Sequence, residues 1–392
     1  MRESDVAIIG AGPSGLYLAR ELSKIMNVVI FEEDKELGLP PHCTGLVNAD
    51  SLKVLNISPP IINSYRYVRI TDLEGNSITF DFKRKAVAML DRPGLENYLA
   101  DELGSASLAL GERVLDVRRG TVRTKTRETT YDLVAIAEGS GMSLTKNLIP
   151  WKPTYVYGVQ TDTTSHESNA LMPRDVDEVV VVFDRRLSNH FFAWIVPRDN
   201  HELRIGIADD ANTWVKFIGL LKIIGARYYK PFGGKVIIGG SPNDVTTNNV
   251  AVIGDAAGFV KPTTGGGIIM GMLSAKLLAE SIYSAVKVGL QVSDALSIYN
   301  MVFRKFIRRK IRALGGASST LHLMMNSSLS EVMRSMNAVN VDTYDYDNHV
   351  DAILRTAMKR PWAFAKVVFS IIGELSLVEP NRISELIREV LG

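Results

Sequence analysis

The stretch DVAIIGAGPSGLYLARELSK, residues 5–24, constrains the fold of this chain more than any other. The apolar run Val6 to Ile9 reads as a buried parallel strand, and Leu16, Leu18, Ala19 and Leu22 then recur with a helix period. Between them lies a GxGxxG turn, Gly10-Ala11-Gly12-Pro13-Ser14-Gly15. Gly10 permits the tight turn, Gly12 lets backbone approach a pyrophosphate, and Gly15 lets the helix pack closely on the strand, so that the helix start faces the phosphates. A second apolar strand, VVIFEED, carries Glu32, 22 residues after Gly10. That is near the separation at which an acidic side chain meets a ribose hydroxyl. The sequence therefore predicts a Rossmann-like α/β nucleotide-binding unit, which NAD and FAD both use.

A distant segment narrows the choice of nucleotide. In NNVAVIGDAAGFVKPTTGGGIIMGM, the short apolar strand Val250 to Ile253 leads into Gly254-Asp255-Ala256-Ala257, and three glycines, Gly265 to Gly267, open a helix of small residues. A carboxylate at Asp255 accepts bonds from sugar-alcohol hydroxyls, and a helix start offers N–H groups to an electron-rich ring edge. Together the two motifs resemble the FAD-binding fold of p-hydroxybenzoate-hydroxylase-type flavoproteins. The resemblance implies that Asp255 binds the ribityl chain and that Gly266, Gly267 and Ile268 approach the flavin pyrimidine edge. It also implies a cofactor contact for Arg92, which precedes Leu95, Leu99 and Leu103 in an R-x-x-L-x-x-x-L element. The full expected cofactor set is Gly10, Gly12, Pro13, Ser14, Gly15, Glu32, Cys43, Gly45, Arg92, Val114, Gly254, Asp255, Gly266, Gly267 and Ile268. The segment YDLVAIAEGSGMS resembles the family's A-D-G-x-x-S strand but has Glu138 in place of Asp, so no contact is assigned to it.

Within this large group the chain is most similar to the geranylgeranyl reductase family, whose members saturate prenyl chains. FFAWIVPRDNHELRIGIA, residues 191–208, resembles that family's Y-x-W-x-F-P pattern at Trp194 and Pro197, with Phe191 or Phe192 near the aromatic start and Val196 departing from it. The loop GLPPHCTGLV matches the family's C-x-G element through Cys43 and Gly45. The implied activity is an FAD-dependent reduction of C=C bonds in a hydrophobic prenyl lipid, with electrons from an external donor. Phe191, Phe192, Trp194 and Pro197 are the expected substrate residues, with Cys43, His42 and Trp194 the candidates for chemistry. Cys43 reads equally as a proton donor or as an inert packing residue, and the aromatic patch equally as a substrate wall or as sheet core. A monooxygenase or halogenase-like enzyme is the alternative, since W-x-x-P also resembles those groups' motif; a flavin-binding protein without catalysis is a third reading.

Bulk properties set the limits. A chain of 392 residues, 46% hydrophobic and 22% charged, is long enough for two or three globular domains. Its single cysteine excludes an internal disulfide and a thiolate metal cage, so no metal centre is expected and a reducing, cytoplasmic setting is. A net charge of +2 argues against a nucleic-acid partner. MRESDVAIIG enters the first strand at once, which predicts no signal peptide. The apolar stretch 366–378 is too short to span a bilayer and carries Lys366 and Glu374.

The expected organisation is a discontinuous FAD-binding domain of residues 1–64, 85–149 and 243–290, an antiparallel β-sheet substrate domain of 65–84 and 150–242, and a C-terminal helical region of 291–392. The segment 65–82 alternates about a Glu-Gly-Asn turn and predicts a hairpin. Residues 300–316 form a basic amphipathic helix with Val302, Phe303, Phe306, Ile307, Ile311 and Leu314 on one side. Packing of that side on the domain is the expected use, and peripheral contact with the inner membrane surface stays open. The four methionines of 322–336 read as core filling, and the acidic 341–348 as a polar connection.

Overall fold

The computed structural model describes residues 5–164, 169–324 and 341–342, with side chains of the last helix described as far as residue 316. The apolar stretch 366–378 and most of the segments 322–336 and 341–348 lie outside the described residues.

The nucleotide-binding layer is a six-stranded sheet in the order Thr246–Thr247, Val250–Val252, Leu133–Ile136, Val6–Ile9, Val28–Phe31 and Ser107–Ala109. The last five run parallel, with Val6 opposite both Val28 and Leu133. The three central strands are buried at every residue, in one core with the helices and with Val117 and Val122 of a small three-stranded sheet, which explains their unbroken apolar runs. Helix Pro13–Leu22 packs against the long helix Ile268–Lys287. Among the described helices this long one alone is long and apolar enough to cross a membrane, yet 78% of its apolar window is buried inside the protein.

The second layer is an eight-stranded sheet in the order Phe232–Gly239, Thr154–Thr163, Leu203–Asp209, Ala193–Pro197, Glu178–Val182, Tyr67–Thr71, Ser77–Asp81 and Val341–Asp342. The hairpin of Tyr67–Thr71 with Ser77–Asp81 is present. The sheet is mixed, however, where the sequence predicts an antiparallel one: Tyr67–Thr71 lies parallel to Glu178–Val182. Parallel neighbours need a long crossover, and here the chain returns through the nucleotide-binding layer between the two strands. A small sheet of Leu46–Asn48, Val87–Leu90 and Ile61–Tyr65 joins the layers, its last strand running across the boundary expected at 64/65.

After Val292–Val302 the chain makes one π-helical turn, Phe303–Ile307, and continues as helix Arg308–Met324. Val302, Phe303, Ile307 and Ile311 are buried in the nucleotide-domain core, with Phe306 and Leu314 packed against it. The apolar side of this basic segment thus faces protein.

A buried ion pair fastens the parallel seam. Arg69 reaches both carboxylate oxygens of Glu178, at 3.1 and 3.2 Å, and donates to the carbonyls of Ala170 and Met172. Both side chains are 3% exposed, so loss of one partner strands the other charge away from water. Glu178→Ala is expected to destabilise the fold by about 3–5 kcal/mol in chemical denaturation, well beyond a surface pair's effect.

Candidate functional site

The carboxyl ends of the central parallel strands open into a cavity of about 520 Å³. Its floor is the glycine turn. Gly10 has φ +104°, and a Cβ there would stand 2.5 Å from the Ala137 carbonyl oxygen; one at Gly15 would stand 2.0 Å from the Gly10 carbonyl oxygen. Gly12, in contrast, has open space where a Cβ would be, and it begins helix Pro13–Leu22 with no side-chain cap. The free N–H groups of that helix start therefore face the cavity. Glu32 lines the cavity from the end of its strand, its carboxylate held by the N–H groups of Ala11 (2.6 Å) and Asp34 (3.0 Å). Val114 lines the same space.

Gly12, Pro13, His42, Arg92 and Glu138 border this cavity and a second one of about 730 Å³. The second lies between the layers. Its nucleotide side carries Ser14, Cys43, Gly254, Asp255, Lys261, Thr264 and Gly265 to Ile268, and its sheet side Val179, Val181, Phe183, Phe191, Phe192, Trp194 and Val236. Phe191 and Phe192 stack at 4.1 Å between centroids, and Trp194 meets Phe192 edge to face at 6.2 Å.

Three expected residues do not line either cavity. Gly15 and Gly45 act through the backbone: with φ +87°, Gly45 brings the cysteine loop so close to strand Val87–Leu90 that a Cβ would lie 2.6 Å from the Leu90 carbonyl oxygen. Pro197 stands apart from the other expected substrate residues, because strand alternation puts it on the opposite face from Trp194. Its carbonyl instead accepts from Tyr65 Oη (2.5 Å) and Asn63 Nδ2 (3.1 Å).

The sequence reading missed a polar tie behind the aromatic wall. Gln160 Oε1 accepts from Trp194 Nε1 (3.2 Å) and Thr44 Oγ1 (2.9 Å), while Gln160 Nε2 donates to the His42 carbonyl (3.5 Å). One amide thereby positions the indole and the cysteine loop together. Glu138 also has a defined part: its carboxylate accepts from the N–H groups of Leu144 (2.9 Å) and Thr145 (2.6 Å) and from the Ser143 and Thr145 hydroxyls, closing the loop over the cavity.

Charge in the site is shaped by burial. Burial raises the Asp255 carboxyl to about 6, with Arg92 pulling the other way. It also lowers Lys261, only 2% exposed on the cavity wall, well below the usual lysine range. Burial opposes the charge on Arg92, but Cys43 and Glu96 outweigh it and hold the guanidinium above its usual value. Cys43 itself is half-buried, its Sγ 3.4 Å from the Gly45 N–H.

The residues fit a dinucleotide that ends in a flavin. The uncapped helix start at Gly12 suits a pyrophosphate, Glu32 a ribose, and Asp255 a polyhydroxyl chain. The Arg92 Nε and Thr264 Oγ1 atoms are buried without hydrogen-bond partners on the same walls, as donors awaiting a polar ligand are. The layers and the crevice between them are the FAD-binding fold of p-hydroxybenzoate-hydroxylase-type flavoproteins.

The comparisons with known proteins agree with that class and refine it. No protein-family model matches the chain. It is 22% identical to digeranylgeranylglycerophospholipid reductase 1 of Methanosphaera stadtmanae over 99% of this chain and 100% of that protein. It is 21% identical to an uncharacterized protein of Methanocaldococcus jannaschii over 88% and 90%. Among solved structures, a geranylgeranyl bacteriochlorophyll reductase-like protein of Thermoplasma acidophilum superposes with a TM-score of 0.79 at 17% identity, covering 96% of this chain and 100% of that one. A p-nitrophenol 4-monooxygenase of Pseudomonas putida reaches 0.68 at 17% identity, with 94% and 99% covered. Relatives and fold neighbours thus both include proteins of the geranylgeranyl reductase type that the motifs resemble.

Two outcomes check the site. A Cβ at Gly267 would lie 2.4 Å from Asp255 Oδ1, so Gly267→Ala is expected to weaken FAD binding about tenfold or more, read from flavin retained on the purified protein. In flavin-stripped protein the raised Asp255 contributes stability that is full below its unfolded value near 3.8 and is lost as pH rises through about 6. Asp255→Asn is expected to remove that loss, at most about 1.4 kcal/mol of which falls between pH 5 and pH 8 and less because cavity water reaches the carboxylate, in denaturation curves at those two pH values.

Proposed function

We propose that the protein is an FAD-dependent reductase that saturates C=C bonds in geranylgeranyl-type prenyl chains of isoprenoid lipids. The observation that carries this reading is the 730 Å³ cavity, walled by Phe191, Phe192 and Trp194 and opening onto the Asp255 and Gly265–Ile268 cradle. The Methanosphaera relative, a digeranylgeranylglycerophospholipid reductase, supports the lipid class.

Reduced FAD, held by the Gly12 helix start, Glu32, Asp255 and the Gly265–Ile268 cradle, would supply a hydride to one alkene carbon. The chain must supply the rest. An isolated alkene is a poor acceptor, so the apolar walls have to hold the prenyl chain in place and keep water out. The Trp194 indole, positioned through Gln160 and packed closely on Gly206, offers its ring to positive charge developing on the alkene. A proton must reach the second carbon, and Cys43 and His42 stand at the border of the cavity where it would be given. The electron donor is external: a nicotinamide, a deazaflavin or a small iron–sulfur protein.

Oxygen insertion is the second reading, favoured by the fold shared with the p-nitrophenol monooxygenase. Dithionite-reduced protein given a geranylgeranyl lipid is expected to add about two mass units per bond, whereas a monooxygenase under oxygen adds about sixteen. Cys43→Ser is expected to retain FAD while turnover falls about 10²-fold or more, the loss that follows removal of a positioned proton donor. Unchanged turnover would assign the thiol to packing and leave His42→Ala as the deciding variant.

A further inference from the structure

The face of the eight-stranded sheet turned away from the cavity carries side chains that the proposed reaction does not use. On strand Thr154–Thr163, Gly158 and Gln160 border the cavity, so alternation turns Tyr155, Tyr157 and Val159 to the opposite face. There Val159 packs with the apolar side of helix Thr213–Ile223. The Tyr155 and Tyr157 rings meet edge to face at 5.5 Å on this outer surface. Trp214 and Val215 stand out from the start of the helix, and Tyr228 and Tyr229 from the loop that follows it. Trp214 meets Tyr228 at 5.3 Å, and the Tyr229 carbonyl accepts from Thr161 Oγ1, which lays the loop back on the same strand. Val215 is 69% exposed and Tyr229 71%. Among the described residues, all five strongly exposed aromatic side chains lie on this one face.

Charge segregates with them. The whole chain is nearly balanced, with 45 Lys and Arg against 43 Asp and Glu, yet residues 150–160 and 211–243 together hold six Lys and Arg and no acidic residue. Lys152, Lys222, Arg227 and Lys230 are exposed. The Lys230 ammonium lies 5.3 Å from the Tyr229 ring and that of Lys235 4.5 Å from the Tyr155 ring, so cations border the aromatic patch. Lys235 and Val236, on the edge strand Phe232–Gly239, also border the apolar cavity.

We infer that this face docks on an anionic lipid bilayer, with strand Phe232–Gly239 at the passage from the membrane to the cavity. Tyr and Trp seat at the level of lipid headgroups, and Lys and Arg extend from an apolar base to phosphates. An anionic leaflet attracts such a cationic rim. A second copy of the chain would set cation against cation across the same patch, which is why lipid is the occupant the charges select. The inference deepens the prenyl-lipid reading and rests on it only for the use of the cavity.

Flotation of the full-length, flavin-loaded protein with phosphatidylcholine–phosphatidylglycerol vesicles free of prenyl lipid reads docking apart from turnover. Binding to the mixed vesicles is expected, and it should be about tenfold or more weaker on pure phosphatidylcholine. Val215→Asp/Tyr229→Asp and Lys222→Glu/Lys230→Glu should each lose a similar factor while keeping the wild-type circular dichroism, bound flavin and turnover of a detergent-dispersed short prenyl substrate. Absence of prenyl reduction in every form would remove the reductase reading and leave the docking result intact. The inference is overturned if wild-type protein does not bind the mixed vesicles, if both variants bind them as wild type does, or if the wild type is a dimer that the variants dissolve.

Discussion

The contact of Gly15 with the Gly10 carbonyl governs this molecule. No side chain fits between them, since even a Cβ at Gly15 would lie 2.0 Å from that oxygen. The first helix consequently sits directly on the first strand and aims its uncapped start into the crevice. The long helix Ile268–Lys287 packs against this helix, and Gly271 approaches Ser14 with the same closeness: a Cβ there would stand 2.2 Å from Ser14 Oγ. The two glycine-rich segments, some 250 residues apart, thus meet as the two sides of one cradle.

From that cradle the second layer gains its purpose. A sheet that left the nucleotide-binding layer and never returned would have no fixed relation to it. Here the chain enters the eight-stranded sheet three times, and the Arg69–Glu178 pair joins strands from the first two visits. Gln160 then ties the sheet's Trp194 to the cysteine loop of the other layer. The apolar cavity exists because both layers present walls whose spacing these cross-links set.

Much of the nucleotide end was legible because its requirements are local. A turn that must approach a phosphate needs glycine at fixed intervals, and a buried parallel strand needs an unbroken apolar run, so Val6 to Gly15 and Val250 to Gly267 announce themselves. Glu32 was readable for the same reason, being one strand away. Gln160, Lys261 and Thr264 carried no such signal. A glutamine in a β-run looks like any surface polar residue until Trp194 and Thr44, 34 and 116 residues away, close on it. Pro197 shows the converse: a motif fixes which residues are neighbours in the chain, whereas strand alternation decides which of them share a face.

Taken alone, the sequence determined the kind of unit that binds the nucleotide, the order of its pieces, the hairpin at 65–82 and, among the described residues, the helical character of 292–324. These follow from periodicity and from backbone conformations that few residues permit. Only the tertiary structure decided that Tyr67–Thr71 pairs in parallel with Glu178–Val182, that the basic segment after residue 300 turns its apolar side inward, and that five aromatic rings gather on the outer face of the sheet. Each of these depends on which distant elements become neighbours, and burial and charge pairing settle that only once the whole chain has closed on itself.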